Sequence, residues 1–330
     1  MIDKNCFNER RRQPYLTYTA FVNTLKRFEQ DRVILAKKLT ECGGDVLGRT
    51  EVLGQIAFTE WFCFQIKHTA GVELDILKKE LSAVVDAYEE YVSECNSLAE
   101  DDYYSPIALD DLMDTYVGYI NLICFCILLH REDLIPRVYG LISKSQFDGD
   151  DAVIEELFKF FLENRPELDH WIWEKPYRNL LDAIDSEEPV ERVEGMKKYI
   201  KLWYRGMKGQ ALFWGKHEKI KDTFSPYFGY WAMCAGAFTY LYNIDDSSYE
   251  NELVYPKDLV DYARSAKRDF VCLESGVRIL RVLGGQLCPI AGAWFSPAKE
   301  GSARSFKKDD LMPVFPASEY GETIWQWIHD

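Results

Sequence analysis

The feature that most restricts this chain is a hydrophobic stripe at helical spacing. Leu74, Leu77, Leu81, Val84, Tyr88, Tyr91 and Cys95 recur at alternating steps of three and four. That spacing puts them on one helix face, with Glu80, Glu89, Glu90 and Glu94 between them and mostly toward water. Phe21, Leu25, Phe28, Leu35 and Leu39 trace a second stripe, interrupted at Arg32. Val52, Ile56, Trp61 and Phe64 predict a helix between these two, and Leu109, Leu112, Tyr116, Tyr119 and Ile123 predict a fourth. Shorter helices are expected near 134–143 and 152–163, the latter stopped before Pro166 because proline disfavours helix in the residue ahead of it. Pro189 suits a first helical turn, and Val193, Met196, Ile200, Trp203 and Met207 mark the buried face of the helix it opens.

Residues 227–262 read as an aromatic-rich buried helix, an acidic turn and a second helix opened by Pro256. Tyr227, Phe228, Tyr230, Trp231, Phe238, Tyr240 and Tyr242 are expected in the core, since aromatics this dense on one helix pack inward. After about Gly284 helix formers thin out. Proline and glycine punctuate short aromatic pieces at 293–295, 305–306 and 323–327, which predict short strands of a small sheet. The expected fold is therefore all-α: a multi-helix bundle of antiparallel amphipathic helices with a small β-like C-terminal extension. Turn chemistry at 145–151 and the later composition change divide it into 1–145, 146–285 and 286–330.

Hydrophobic residues make up 47% of the 330, which is enough for a sizeable core and argues against global disorder. The formal net charge is −15 and is unevenly spread. Residues 86–191 hold 26 Asp+Glu against 7 Lys+Arg, a net of −19 that leaves about +4 elsewhere. Such a field attracts basic partners and repels nucleic acid and anionic membranes. Nine scattered cysteines with no pairing framework fit a reduced, cytoplasmic compartment. Cys124 and Cys126 read as buried thiols, with no second pair at zinc spacing. The Arg10–Arg11–Arg12 run is followed by no apolar stretch, so no secretory signal is expected, and no segment reaches the ~20 apolar residues of a membrane helix.

Catalytic motifs are few and incomplete. Gly209–Lys216 resembles a phosphate loop but has one residue too many between its glycines, and His217 replaces the metal-holding hydroxyl. His217-Glu218 begins like a zinc-protease motif, but Lys221 stands where the second histidine belongs. Asp245-Asp246 could act as an acid–base pair or metal clamp. The turn reading explains more, because Asp245, Asp246, Ser247 and Ser248 all satisfy orphan amides well between two helices. No cofactor and no metal are expected.

The stretch around 227–262 resembles the PoNi-type immunity proteins, bacterial partners of polymorphic nuclease toxins delivered between cells. The residues that carry the likeness are Gly229-Tyr230-Trp231-Ala232, Ala235-Gly236-Ala237, the run from Ile244 through Asp245, Asp246, Ser247 and Ser248 to Tyr249, and Tyr255-Pro256-Lys257-Asp258. Leu202-Trp203-Tyr204 and His217 fall where the family places similar residues. Cys234 departs from it, standing where the family often carries Glu. The tail resembles a C-terminal module of other toxin-immunity proteins. The resemblance implies an all-helical, non-catalytic inhibitor, acting within interbacterial competition through type VI secretion, that occludes the active site or DNA-binding surface of a cognate toxin. The acidic middle suits that partner. The expected contact residues are Asp101, Asp102, Asp148, Asp150, Asp151, Glu155 and Glu156, each with the alternative of a solvated loop or helix face. A homodimer stays open. Competing readings are immunity to a non-nuclease toxin, a metal-dependent hydrolase using Asp245, Asp246 and His217, and a helical scaffold with no toxin partner.

Overall fold

A computed structural model describes residues 3–98, 105–265, 270–271, 279–288, 291–296, 298–299, 301–315 and 323–327. The chain divides into a helical unit, 1–263, and a small β unit, 264–330.

The helical unit begins with α1 (Lys4–Arg10), α2 (Tyr18–Cys42), α3 (Val46–Thr69) and α4 (Leu74–Asn96). Each of the first three opens on a side-chain cap: Asp3, Thr17 and Asp45 accept backbone N–H groups of the first turn. The short connections after α2 and α3 force antiparallel neighbours, and α3 packs between α2 and α4. The stripe on α4 buries Leu77, Leu81, Val84, Tyr88 and Val92 against α3, while Tyr91 and Cys95 lie on its flank. The interruption expected at Arg32 does not break α2. Arg32 reaches sideways to Glu60 of α3, with Nε–Oε1 at 2.5 Å and Nη2–Oε2 at 2.6 Å. Arg49–Glu94 and Lys67–Glu80 tie α3 to α4 in the same way.

Helix α5 (Met113–Leu128) is the axis of the unit. Residues 119–129 are all buried, among them Cys124 and Cys126, which are thiols. The greasiest segment is thus a core helix, starting at Met113 rather than near Leu109. No described helix is long and apolar enough to cross a membrane. Around α5 lie α6 (Ile135–Gly140), α7 (Ala152–Phe158) and α10 (Met233–Leu241). Helices α8 (Glu174–Ile184) and α9 (Pro189–Gly206) form a hairpin, with Pro189 at the first turn as expected. Their closeness depends on Gly195, where a Cβ would stand 2.6 Å from that of Ala183. Helix α11 (Lys257–Ser265) closes the unit.

Residues 227–232 form neither helix nor strand and precede α10, whereas the sequence predicts helix from Tyr227. The N-terminal strap overrides the local pattern. Gln13 is 1% exposed and uses its whole amide. Its Nε2 donates to Tyr230 O (2.6 Å) and Leu253 O (2.8 Å), and its Oε1 accepts from Tyr230 N (2.8 Å) and the Tyr227 hydroxyl. Next to it Arg12 donates to Val72 O and His68 O and pairs with Asp258. Gly229, at φ +113°, allows the pass, since a Cβ there would lie 2.1 Å from Trp231 Nε1 and 2.3 Å from Thr69 Oγ1.

The β unit contains an antiparallel sheet ordered β1-β2-β5-β3-β4: β1 (Phe270–Val271), β2 (Ile279–Leu283), β3 (Gly292–Phe295), β4 (Arg304–Phe306) and β5 (Ile324–Trp327). The three strands expected from the aromatic pieces are β3, β4 and β5. The sequence did not predict the other two: β1 pairs locally with β2, Phe270 opposite Leu280, whereas β2 also pairs at long range with β5, Val282 opposite Trp325. Val282, Cys288, Trp294, Met312 and Trp325 form its core, with Phe306 and Phe315 against it.

The Gln13 amide predicts a stability effect. Gln13→Ala strands buried backbone groups of Tyr230 and Leu253 and should cost about 3 kcal/mol, against about 1 kcal/mol for Tyr227→Phe. Urea unfolding followed by tryptophan fluorescence checks both, and equal small losses would contradict the clamp.

Candidate functional site

The acidic middle of the chain is the functional candidate, so the placement of its carboxylates decides what it can do. Much of the charge faces inward. Arg165 lies among Glu155, Asp148 and the ring of Tyr139. Its Nε and Nη2 contact the two Glu155 oxygens at 2.5 and 2.6 Å, Nη2 reaches Asp148 Oδ1 at 3.0 Å, and the guanidinium stands 4.5 Å from the Tyr139 centroid. Glu155 is 1% exposed. A lone carboxylate there would be prohibitively costly, and the bidentate guanidinium offsets its desolvation. Asp148 also accepts from the Tyr139 hydroxyl (3.0 Å) and Lys144 N (3.1 Å).

Asp151 is the N-cap of α7 and is fully buried. It accepts Val153 N, Ile154 N, Ile172 N and the Tyr116 hydroxyl, each at 3.0 Å. Burial pushes its carboxyl upward against those donors. Glu156 is held by Lys159 (2.6 Å) and the Tyr242 hydroxyl, and burial raises its pKa too.

The expected contact residues differ in exposure. Asp151 and Glu155 are buried in the chain by itself. Asp148 and Glu156 are held largely inside, with their oxygens already engaged. Asp150, 46% exposed beside His170, remains open to solvent. Asp101 and Asp102 lie outside the described residues. The exposed carboxylates of the acidic middle include a rim of Glu167 and Asp169 in the loop before α8, Asp182 on α8, Asp185 at its C-terminal end, and Glu187, Glu188 and Glu191 at the start of α9. Burial, joined by Asp182 and Glu167, raises the Asp185 pKa, despite Lys159 and Arg192 nearby. Between α8 and α9 a groove of about 180 Å³ is lined by Asn179, Asp182, Ser186, Glu191 and Lys198.

Most of the motif residues around 229–258 pack into one knot, with Asp245, Ser247 and Ser248 exposed. Tyr230 O–H meets His217 N (3.0 Å) and Nδ1 (2.8 Å), and Tyr15 packs on the same imidazole. Trp231 Nε1 donates to Thr69 Oγ1 at 3.0 Å, which itself donates to Phe228 O at 2.6 Å. Asp245 accepts Ser247 N at 3.0 Å, whereas Asp246 turns inward and accepts the Tyr255 hydroxyl at 2.7 Å. The acidic turn thus folds on its own residues rather than simply flanking two helices. Ser247 and Ser248 are exposed, Pro256 packs on Gly236, and Asp258 pairs with Arg12. Cys234 is buried with its sulfur 3.9 Å from that of Cys124, so a core thiol occupies the position the resemblance would give to Glu.

The hydrolase reading finds no support in this arrangement. His217 is engaged by Tyr230 and Asp246 by Tyr255, and among the described residues no three His, Cys, Asp or Glu side chains are disposed to hold a metal. The 209–216 loop gives its Leu212 and Phe213 amides to Asp114, at 2.6 and 2.9 Å, so they are not available to cradle a phosphate. Sequence reasoning missed Gln13, Arg12 and Thr69, which complete the knot from far along the chain. A glutamine before Pro14 in an arginine run carries no local signal for this role.

Asp148 gives a pH prediction. Burial opposes its ionisation, but the Lys144 amide, Arg165 and the Tyr139 hydroxyl outweigh it and hold its pKa below the usual carboxylate range. Its contribution to stability is therefore present above the unfolded value of about 3.9 and lost as the pH falls through the lower folded value. Asp148→Asn should lower Tm at neutral pH, with a gap that narrows below about pH 3.9. A gap independent of pH in thermal scans would contradict the charged network.

Comparison with known proteins places this geometry. The family model for PoNe immunity proteins (PoNi), C-terminal, matches residues 149–259, which hold the Arg165 cluster, the α8–α9 hairpin and the 229–258 knot. Among solved structures, protein PA2201 from Pseudomonas aeruginosa is similar over 79% of this chain and 94% of its own, with 19% identity and a TM-score of 0.55, a likeness of fold. No curated protein matches the sequence. Residues 149–259 thus form a domain that matches the C-terminal domain of the PoNi immunity proteins, and that match supports a general toxin-inhibitor role.

Proposed function

We propose that this protein binds a cognate nuclease toxin and inhibits it by covering its active site or DNA-binding surface. The observation that carries the reading is the exposed acidic rim of 167–191 within the matched immunity domain. A nuclease presents a basic groove to DNA phosphates, and a rigid negative surface competes for the same charges. Opposite fields also steer encounter, lifting association toward ~10⁸ M⁻¹s⁻¹ at low salt. Speed matters when the toxin degrades a genome. The inhibitor meets its target in the cytoplasm, and delivery of that toxin by type VI secretion belongs to the same proposal. Asp150, exposed at the edge of α7, joins the contact set, together with Glu167, Asp182, Glu187 and Glu188.

Asp148 to Glu156 are unsuitable for a charge-reversal test, because altering Asp151 or Glu155 would disturb the core. The surface variant Asp182→Lys/Glu187→Lys/Glu188→Lys leaves those contacts intact. Against the toxin encoded beside this chain, its association rate at low salt should fall at least about tenfold and its salt dependence should flatten. Unchanged rate and salt dependence would remove the steering surface. A cleavage assay tests the target class: the added protein should leave DNA intact, and a neutralised toxin that never cleaved nucleic acid would overturn the nuclease assignment.

A further inference from the structure

Helix α9 shows solvent a stripe of six charges: Glu191, Glu194, Lys198, Lys201 and Arg205, continued by Lys208 in the turn that follows. All six are exposed, at steps of three and four, and their signs are sorted, negative toward the N-terminus and positive toward the C-terminus. The helix macrodipole favours such sorting only within the first and last turns. Glu194, Lys198 and Lys201 lie in the interior of an 18-residue helix, beyond that influence. Neither Lys201 nor Arg205 makes an ion pair among the described residues.

The sorting extends past α9. Residues 163–191 carry nine Asp+Glu against three Lys+Arg, and 192–221 carry nine Lys+Arg against two Asp+Glu. Because α8 runs back along α9, Asp182 and Asp185 join the acidic end. The loop bearing Lys216 is fixed to the basic end by Tyr204 stacked on Trp214 at 5.5 Å. Each end of the stripe also carries an exposed apolar side chain: Val190, 75% exposed, and Leu212, 62% exposed.

We propose that this face is a self-association surface whose occupant is a second copy of the chain. Two α9 helices laid antiparallel about a two-fold axis place Glu191 against Arg205 and Glu194 against Lys201, and reciprocally, giving four ion pairs. An isologous contact needs a self-complementary patch, and a helix with sorted charges is one. Lys198 falls near the axis, where like charges would otherwise meet; it lines the α8–α9 groove beside Asp182 and Glu191 of its own chain. The helix is about 27 Å long, and the pairs are solvent-exposed. The association is therefore weak and sensitive to salt.

The test needs no toxin, so it stands apart from the immunity reading. In sedimentation velocity the full chain should shift toward twice its 38.5 kDa mass at about 50 mM salt and return to monomer at about 500 mM. Glu191→Lys/Glu194→Lys should be monomeric at low salt, and so should Lys201→Glu/Arg205→Glu. An equimolar mixture of the two variants pairs an all-positive stripe with one that is negative at all four pairing positions and should recover the heavier species. Circular dichroism matching the parent confirms that both variants fold. A parent that stays monomeric at low salt, leaving the face to another partner, overturns the proposal. So does a mixture of folded variants that fails to associate.

Discussion

The amide of Gln13 is the contact on which the helical unit depends. A segment without helix or strand such as 227–232, crossing a packed interior, must find partners for its backbone groups, because a buried unpaired amide costs about as much as a lost hydrogen bond. Gln13 supplies a donor and an acceptor to Tyr230 and a second donor to Leu253, doing for this segment what a neighbouring strand would do in a sheet. The aromatic rings that follow can then face inward: Tyr227, Tyr230 and Trp231 are all buried. Arg12, one residue earlier, fastens the same strap to the end of α3 and to Asp258 on α11. The N-terminal strap and the immunity domain are thus one piece of covalent and hydrogen-bonded architecture.

The acidic middle divides its carboxylates between two tasks. Those around Arg165 and at the cap of α7 are desolvated and locked, and they shape the turn between α6 and α8. Those on α8 and the start of α9 stay hydrated and set the field felt by a partner. The division follows from the cost of burying charge: where a guanidinium and hydrogen-bond donors converge, a carboxylate can go inside. Elsewhere it must remain in water, where it can steer association.

Helices were legible wherever one face alone met the core. The α4 stripe, the opening of α9 at Pro189 and the aromatic strands β3 and β5 all follow from local pattern. The irregular course of 227–232 was not, because its partner Gln13 sits more than two hundred residues away. For the same reason β2 was hidden, its pairing with β5 being a long-range event. The motif residues were readable as a family signature, and their structural partners Thr69 and Arg12 were not. Net charge predicted a negative surface but could not separate Glu155, which is internal, from Glu188, which is not. That distinction rests on one arginine at position 165.

The close approach at Gly71 bears on whether the matched segment can be cut out by itself. A Cβ at Gly71 would fall 2.1 Å from the carbonyl oxygen of Arg10, so the α3–α4 corner and the start of the strap are moulded to each other. A gene fragment trimmed to the span 149–259 would leave behind both that corner and the strap it seats. Such a fragment would also lack Gln13, Arg12 and Thr69, the groups that occupy the polar atoms of the signature region.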